Sequence, residues 1–166
     1  MRKAMLILCA AASGPILAAA AVCTVWLSPT SAMTAFYERT VVPEERLADP
    51  LFAAGESVVP LLVSEIGNVS MPNRRYAIAF LGRGQYQQAL PDLLRIATDE
   101  SERDLVRSTS LEAVWHIDKA QGRRLATLYA PRNDHLGWRA RQLLTGTTFF
   151  EPPPPRWKAA LGWLLL

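Results

Sequence analysis

From Glu56 to about Gly146 the apolar residues recur at helical spacing, segment after segment. Val59, Leu62, Val63 and Ile66 follow an i, i+3, i+4, i+7 pattern, and so do Leu90, Leu93, Leu94 and Ala97. Ala77, Phe80 and Leu81 form a third stripe. Val106, Ala113, Val114 and Ile117 form a fourth, Leu125, Leu128 and Tyr129 a fifth, and Leu136, Ala140, Leu143 and Leu144 a sixth. A period near 3.6 places each set on one face of a helix. The one alternating run, Thr145 to Phe150, is too short to argue for a sheet, so the region reads as all-α. Gaps of a few residues between stripes force neighbouring helices to pack antiparallel.

Residues suited to helix starts punctuate the stripes. Ser101 with Asp104 three positions on has capping-box spacing, and Ser70 with Pro72 marks another start, because proline in a first turn loses no hydrogen bond. Gly82-Arg83-Gly84 reads as a helix end with a glycine in the left-handed cap.

The stripes also repeat. The run beginning at Val58 (VVPLLVSEIGN) aligns with the run beginning at Ala89 (ALPDLLRIATD) at an offset of 31, matching Pro60 to Pro91 and Leu62 to Leu93. Arg74, Ala77, Phe80 and Leu81 match Arg107, Ser110, Ala113 and Val114 at an offset of 33. A fainter copy places Arg139, Gln142 and Thr145 at a further step of 32. Three arginines therefore fall at nearly constant spacing, with Asn68, Asp99 and Asp134 upstream of them.

This pattern resembles HEAT-like repeats, the short variety found in the family named after phycobilisome lyases. The residues that carry the resemblance are the apolar-Pro-x-apolar openings (Val59-Pro60-Leu61-Leu62 and Leu90-Pro91-Asp92-Leu93), the Asp or Asn of the turn, and an Arg followed three positions later by a small residue. It covers about residues 56–146; the third unit departs from it, lacking the proline and carrying Gln142 where a small residue is expected. The resemblance implies a short α-solenoid of antiparallel helix pairs. It also brings in, as an alternative function, an accessory protein or lyase-like enzyme, since the family includes proteins that attach or remove bilin pigments. Two roles are open to Arg74, Arg107 and Arg139: pairing with the turn residue or the carbonyls ending the first helix, or forming an exposed row for an acidic ligand.

Ahead of this region, Arg2 and Lys3 precede 24 uncharged residues, Ala4 to Leu27, interrupted by Ser13, Gly14, Pro15 and Thr24. As a helix such a run covers ~36 Å, enough to cross a hydrocarbon core. Its length favours an uncleaved anchor, whereas the Ser13-Gly14-Pro15 break and the small residues at Ala18–Ala21 and Thr30-Ser31-Ala32 fit a removed signal peptide. Both expectations place the chain after Leu27 on the far side of the cytoplasmic membrane, single-pass in the first case, secreted or periplasmic in the second. Val22 stands where a lipoprotein signal needs a small residue before Cys23.

Cys9 and Cys23, the only cysteines, both lie in that run, so the remainder has no disulfide framework. Arg2 and Lys3 also carry two of the three excess positive charges, leaving 16 basic and 15 acidic residues beyond them. A nucleic-acid partner loses its electrostatic basis.

Residues 29–55 form a connector whose Pro43-Glu44-Glu45-Arg46 opens a helix reaching Ala54, interrupted by Pro50, and this helix is placed to cap the first repeat. Residues 147–166 are a stiff spacer, Pro152–Pro155, and an apolar tail with Trp157, Leu161, Trp163 and Leu164–Leu166. Too short to span a bilayer, the tail has three uses open to it: folding back on the repeats, dipping into a membrane surface beside Lys158, or docking into a partner.

Catalytic and cofactor motifs are not found. His116 and Asp118 on a helix point to different faces, His135 reads as an exposed turn residue, and the glycines around Arg83 lack phosphate-loop spacing. Asn68-Val69-Ser70 fits a glycosylation sequon. The expectation is a non-catalytic scaffold without cofactor, metal or small-molecule substrate, displayed outside the membrane and binding another protein. Arg74, Arg107, Arg139, Trp157 and Trp163 are its candidate interaction or repeat-ladder residues.

Overall fold

A computed structural model of the chain describes residues 28–39, 42–148 and 150–165. Among them there are helices and no strand, so the fold is all-α and the run from Thr145 to Phe150 contributes no sheet. The anchor or signal segment expected over residues 4–27 lies outside the described residues. Within them one helical stretch, Glu44–Glu65, is long and apolar enough to cross a membrane, but it is largely enclosed by the rest of the fold. It is core.

Helix α1 (Pro29–Glu38) starts on Ser28, whose Oγ accepts from Ser31 N at 3.2 Å, with Pro29 in its first turn. The connector helix expected from Pro43 is realised as a 3-10 turn, Glu44–Arg46, and a separate helix α2 (Asp49–Ala54). Pro50 sits in the first turn of α2, where it removes no bond; it divides the segment instead of kinking it. All six residues of α2 are buried, between α1 on one side and the last helix, α9 (Arg156–Leu164), on the other.

Helices α3 (Val59–Glu65) and α5 (Leu90–Thr98) open alike, each with proline in its first turn and a 3-10 turn before it, Gly55–Val58 and Gln87–Ala89. The matching sequences thus give matching local structure. Helices α4 (Arg74–Arg83) and α6 (Asp104–Ile117) follow them, and two of the expected starts are overturned here. Asn68 and Asp99 accept from the backbones of Ser70 and Ser101, forming Asx turns that delay each helix by several residues. Asn73 then precedes α4 in a left-handed conformation (φ 55°), its side chain donating to the carbonyls of Phe36 and Arg39 at the end of α1. At the other end of α4 the left-handed residue is Gln85 (φ 53°), whereas Gly84 keeps a right-handed φ of −78°.

Helix α7 (Lys119–Tyr129) is capped by Asp118 and helix α8 (His135–Thr145) by Asp134, each carboxylate accepting backbone N–H groups of the first turn. Gly146 closes α8 at φ 70°. The core has two parts. The larger gathers residues of α1 to α6 with Ala159 of α9; the smaller joins Leu111 and Trp115 of α6 to Ala126, Tyr129, Leu136, Ala140 and Leu143 of α7 and α8. Helix α6 feeds both. The fifth and sixth stripes are only partly buried, Leu128 being 65% and Leu144 40% exposed, because among the described residues no further helix packs on α7 and α8 from beyond.

Candidate interaction groove

Helices α4, α6 and α8 pack in a row, α4 on α6 and α6 on α8, while α5 and α7 pack on α6. The approach of α4 to α6 depends on Gly82, where a Cβ would fall 2.6 Å from the Cα of Ala113. With the floor made of such small residues, the walls above it stand apart. They enclose a hollow of about 240 Å³ lined by Ala79, Arg83, Thr109, Glu112, His116 and Glu151 among others.

Glu112 and His116 of α6 meet Arg139 of α8. Glu112 Oε2 lies 3.5 Å from Arg139 Nη1, and Glu112 Oε1 lies 4.0 Å from His116 Nε2, beyond hydrogen-bond range. Burial pushes the Glu112 carboxyl above its usual range, and Arg139 opposes that shift. Burial pushes the His116 imidazole down, with the Lys119 charge acting in the same direction, so the ring favours its neutral form. The Phe150 ring covers it at 4.7 Å between centroids.

The rim is organised by Arg83. Its Nε donates to the carbonyl of Glu151 at 2.9 Å and its Nη2 to that of Pro152 at 2.8 Å, while the Glu151 carboxylate sits 3.4 Å away. The guanidinium also lies over the Phe52 ring, 4.8 Å from the centroid. Two further hollows adjoin at this arginine, one toward Phe52, Tyr76 and Phe80, the other toward Asp49, Pro154 and Lys158. Chemically this is a place that grips extended backbone: two successive carbonyls on one planar fork, an aromatic side chain beside them, and a neighbouring carboxylate.

The residues singled out by sequence are not brought together here. Arg74 is buried, its Nε donating to Ile66 O at 2.7 Å at the end of α3, and its Nη1 paired with Glu102 in the loop between α5 and α6. Arg107 is buried likewise, with Nε on Ala97 O at 3.3 Å near the end of α5, Asp104 at 3.6 Å and the Tyr129 ring beneath it. Arg139 does not reach the end of its first helix. That contact is made by Arg141, whose Nη1 donates to Ala130 O at 2.6 Å and Arg132 O at 2.8 Å. Residues two apart on a helix diverge by about 200°, so Arg139 faces Glu112 and the Trp138 ring instead. Trp157 is 67% exposed on α9, and Trp163 is half-buried against the core.

His116 lies in the last turn of α6, whereas Asp118 is not on that helix but just beyond its end, serving as the cap of α7. His135 is exposed at the first turn of α8, edge-on to Trp138. Among the described residues no three His, Cys, Asp or Glu side chains gather as a metal ion would need. Sequence reasoning missed Arg83, Glu112, Phe150 and Glu151. Glu112 and His116 at i, i+4 were a legible signal; the strap Phe150-Glu151-Pro152, whose ring lies on His116, was not. Compared with known protein families, with characterised proteins and with solved structures, the chain matches none.

Proposed function

We propose that this protein is a non-catalytic interaction module, a short HEAT-like α-solenoid held at the outer face of the cytoplasmic membrane by residues 4–27, whose α4–α6 groove takes an extended segment of another protein. The solenoid reading is supported by a recurring contact: in three successive helix pairs an arginine of the second helix donates to a carbonyl ending the first, Arg74 to Ile66, Arg107 to Ala97 and Arg141 to Ala130. Stacked pairs of this kind expose a continuous groove along their second helices. The observation that carries the binding reading is the strap itself. Phe150, Glu151 and Pro152 lie on the groove as an extended peptide would, ring on His116 and backbone on Arg83.

A photo-crosslinking side chain at Thr109, on the groove wall, tests this in intact cells. The expected product is one intermolecular adduct of defined mass that is lost when Arg83 is changed to Ala. Adducts confined to the chain's own residues 150–152, in the parent and the Arg83→Ala variant alike, would remove the basis of the proposal. Location is tested by alkaline carbonate: retention of the full-length chain in the membrane fraction is expected, and release of a shortened chain overturns the anchor.

A further inference from the structure

Helix α9 is built with its amphipathic order reversed. The side that docks on α2 is made of small residues, Ala159 and Gly162, with Trp163 and Ala160 packing half-buried beside them. A Cβ at Gly162 would lie 2.2 Å from Asp49 Oδ2, so that face admits no larger residue. The large apolar side chains instead point outward: Trp157 67%, Leu161 49%, Leu164 58% and Leu165 76% exposed. Their i, i+4, i+7, i+8 spacing makes one continuous stripe on the solvent side of a helix that is already docked. Other exposed apolar residues include Leu61 of α3, Val69, Leu105 of α6, and Leu128, Trp138 and Leu144 of α7 and α8. A stripe of this kind in water marks a contact surface.

We infer that this face of α9 lies in the surface of the membrane that carries the protein, with Trp157, Leu161, Leu164 and Leu165 among the lipid headgroups and upper acyl chains. The inference rests on the reading of residues 4–27 as a membrane anchor, and adds to it a second membrane contact at the opposite end of the chain. Three observations select lipid as the occupant.

The first is tethering. The uncharged run ends at Leu27, immediately before Ser28 and α1. Helix α1 is ten residues long, about 15 Å. The residue after it, Arg39, donates to the Trp163 carbonyl in the last turn of α9 at 3.1 Å. Both α1 and α9 pack on α2. The last turn of α9 is therefore held at the far end of α1, about one short helix length and an arginine side chain from where the chain leaves the anchor, so binding lipid there costs less ordering than for an untethered helix.

The second is charge. Lys158 stands exposed beside Trp157 and α9 itself carries no acidic residue, Glu45, Asp49 and Glu151 lying on the docked side in the hollow next to it, while Arg156 is held on the Ala53 and Ala54 carbonyls. The third is length. Nine helical residues cover about 13 Å, too short to span the hydrocarbon core yet suited to lying along its boundary with an interfacial tryptophan.

The test uses the full chain, with Cys9→Ser and Cys23→Ser, reconstituted in vesicles of phosphatidylcholine and phosphatidylglycerol. A nitroxide is placed through Leu161→Cys, or at a reference site on α7 through Leu128→Cys, which is also exposed. Collisions with oxygen, which partitions into lipid, are compared with those of a water-soluble nickel chelate. The expected result is an oxygen-to-nickel ratio several-fold higher at 161 than at 128, falling to the value at 128 when Trp157→Ser and Leu164→Ser are added. Equal, aqueous ratios at both sites in carbonate-resistant protein overturn the inference and leave the anchor standing. Extraction by carbonate overturns both. Dipolar broadening between labels at 161, with the nickel chelate excluded, would mean that a second copy covers the stripe, and would overturn the inference as well.

Discussion

Arg107 is among the largest side chains enclosed in the fold, and its neighbours explain why an arginine can stand there. The carbonyl of Ala97 accepts from its Nε, Asp104 lies 3.6 Å from Nη1, and the Tyr129 ring faces the guanidinium at 5.5 Å. Replacement by Ala leaves that carbonyl unpaired and opens a void, so a loss of about 2–4 kcal/mol is expected in urea unfolding. Lysine restores the charge but not the planar fork, and Arg107→Lys recovers only part of the loss. Variants that unfold at the parent midpoint would show that the buried contacts are not structural. Arg107 Nη2 is nonetheless buried without a hydrogen-bond partner among the described residues, and Ser110, three residues on, shares that defect. Its Oγ is buried without a hydrogen-bond partner, and Ala is the better helix former. Ser110→Ala should therefore raise stability by about 1 kcal/mol, and a decrease would mean that the hydroxyl is satisfied in solution.

His116 adds a pH dependence at the same scale. Burial and the nearby Lys119 hold its pKa below the ordinary 6.5, so the fold favours the neutral ring. That contribution is complete above the ordinary value and is lost as pH falls through the depressed one. Glu112, pushed up by burial, has the opposite sign: its contribution is present below its ordinary 4.5 and lost as pH rises through the raised value. Glu112 is common to both proteins, so the difference between them follows the histidine, and His116→Gln should gain stability relative to the parent as pH falls from 7.5 to 5. Denaturation midpoints at the two pH values decide it; a constant difference between the proteins would show that the ring does not titrate in this window.

At the scale of helices, the spacing of apolar residues carried most of the information. Each stripe became part of a helix because periodic burial needs only local sequence, and Pro60 and Pro91 marked equivalent first turns. The starts of α4 and α6 were not legible, because Asn68 and Asp99 compete for the backbone groups that Ser70 and Ser101 were expected to organise. Nor could spacing choose between Arg139 and Arg141, which share a residue type and differ by the rotation of α8 against its neighbours. The groove was illegible for a third reason. Its depth comes from a glycine on α4 meeting an alanine on α6, a pairing that neither helix shows alone. Gly82→Ala tests this: helix propensity favours Ala by ~1 kcal/mol, but overpacking against the Ala113 backbone costs about 1–3 kcal/mol, so the net effect is destabilising, with crosslinking from Thr109 weakened as α4 moves away. A gain in stability would show that the contact is loose.

Across the whole molecule the two ends of the described chain are fastened to one another, and this determines how the protein comes apart. Arg156 donates to the carbonyls of Ala53 and Ala54 at 3.0 Å each, Arg39 to that of Trp163, and Gly162 rests on Asp49, whose carboxyl is pushed up by burial against the pull of Arg39 and Arg46. The expected tail was thus legible as a unit, while its docking partner, α2, was not, since these contacts join residues about a hundred positions apart. Helix α9 adds few large side chains to the core, mainly Trp163, whereas α6 contributes to both of its parts. Its docking free energy should accordingly be much smaller than that of the whole fold, making α9 a separate, low-stability unit. Gly162→Val places methyl groups where Asp49 stands and should undock α9 without unfolding the rest. In hydrogen exchange, the amides of α9 are then expected to lose protection while the amides of α6 keep theirs. Loss of protection in α6 to the same extent would mean that the ends are integral to a single cooperative unit.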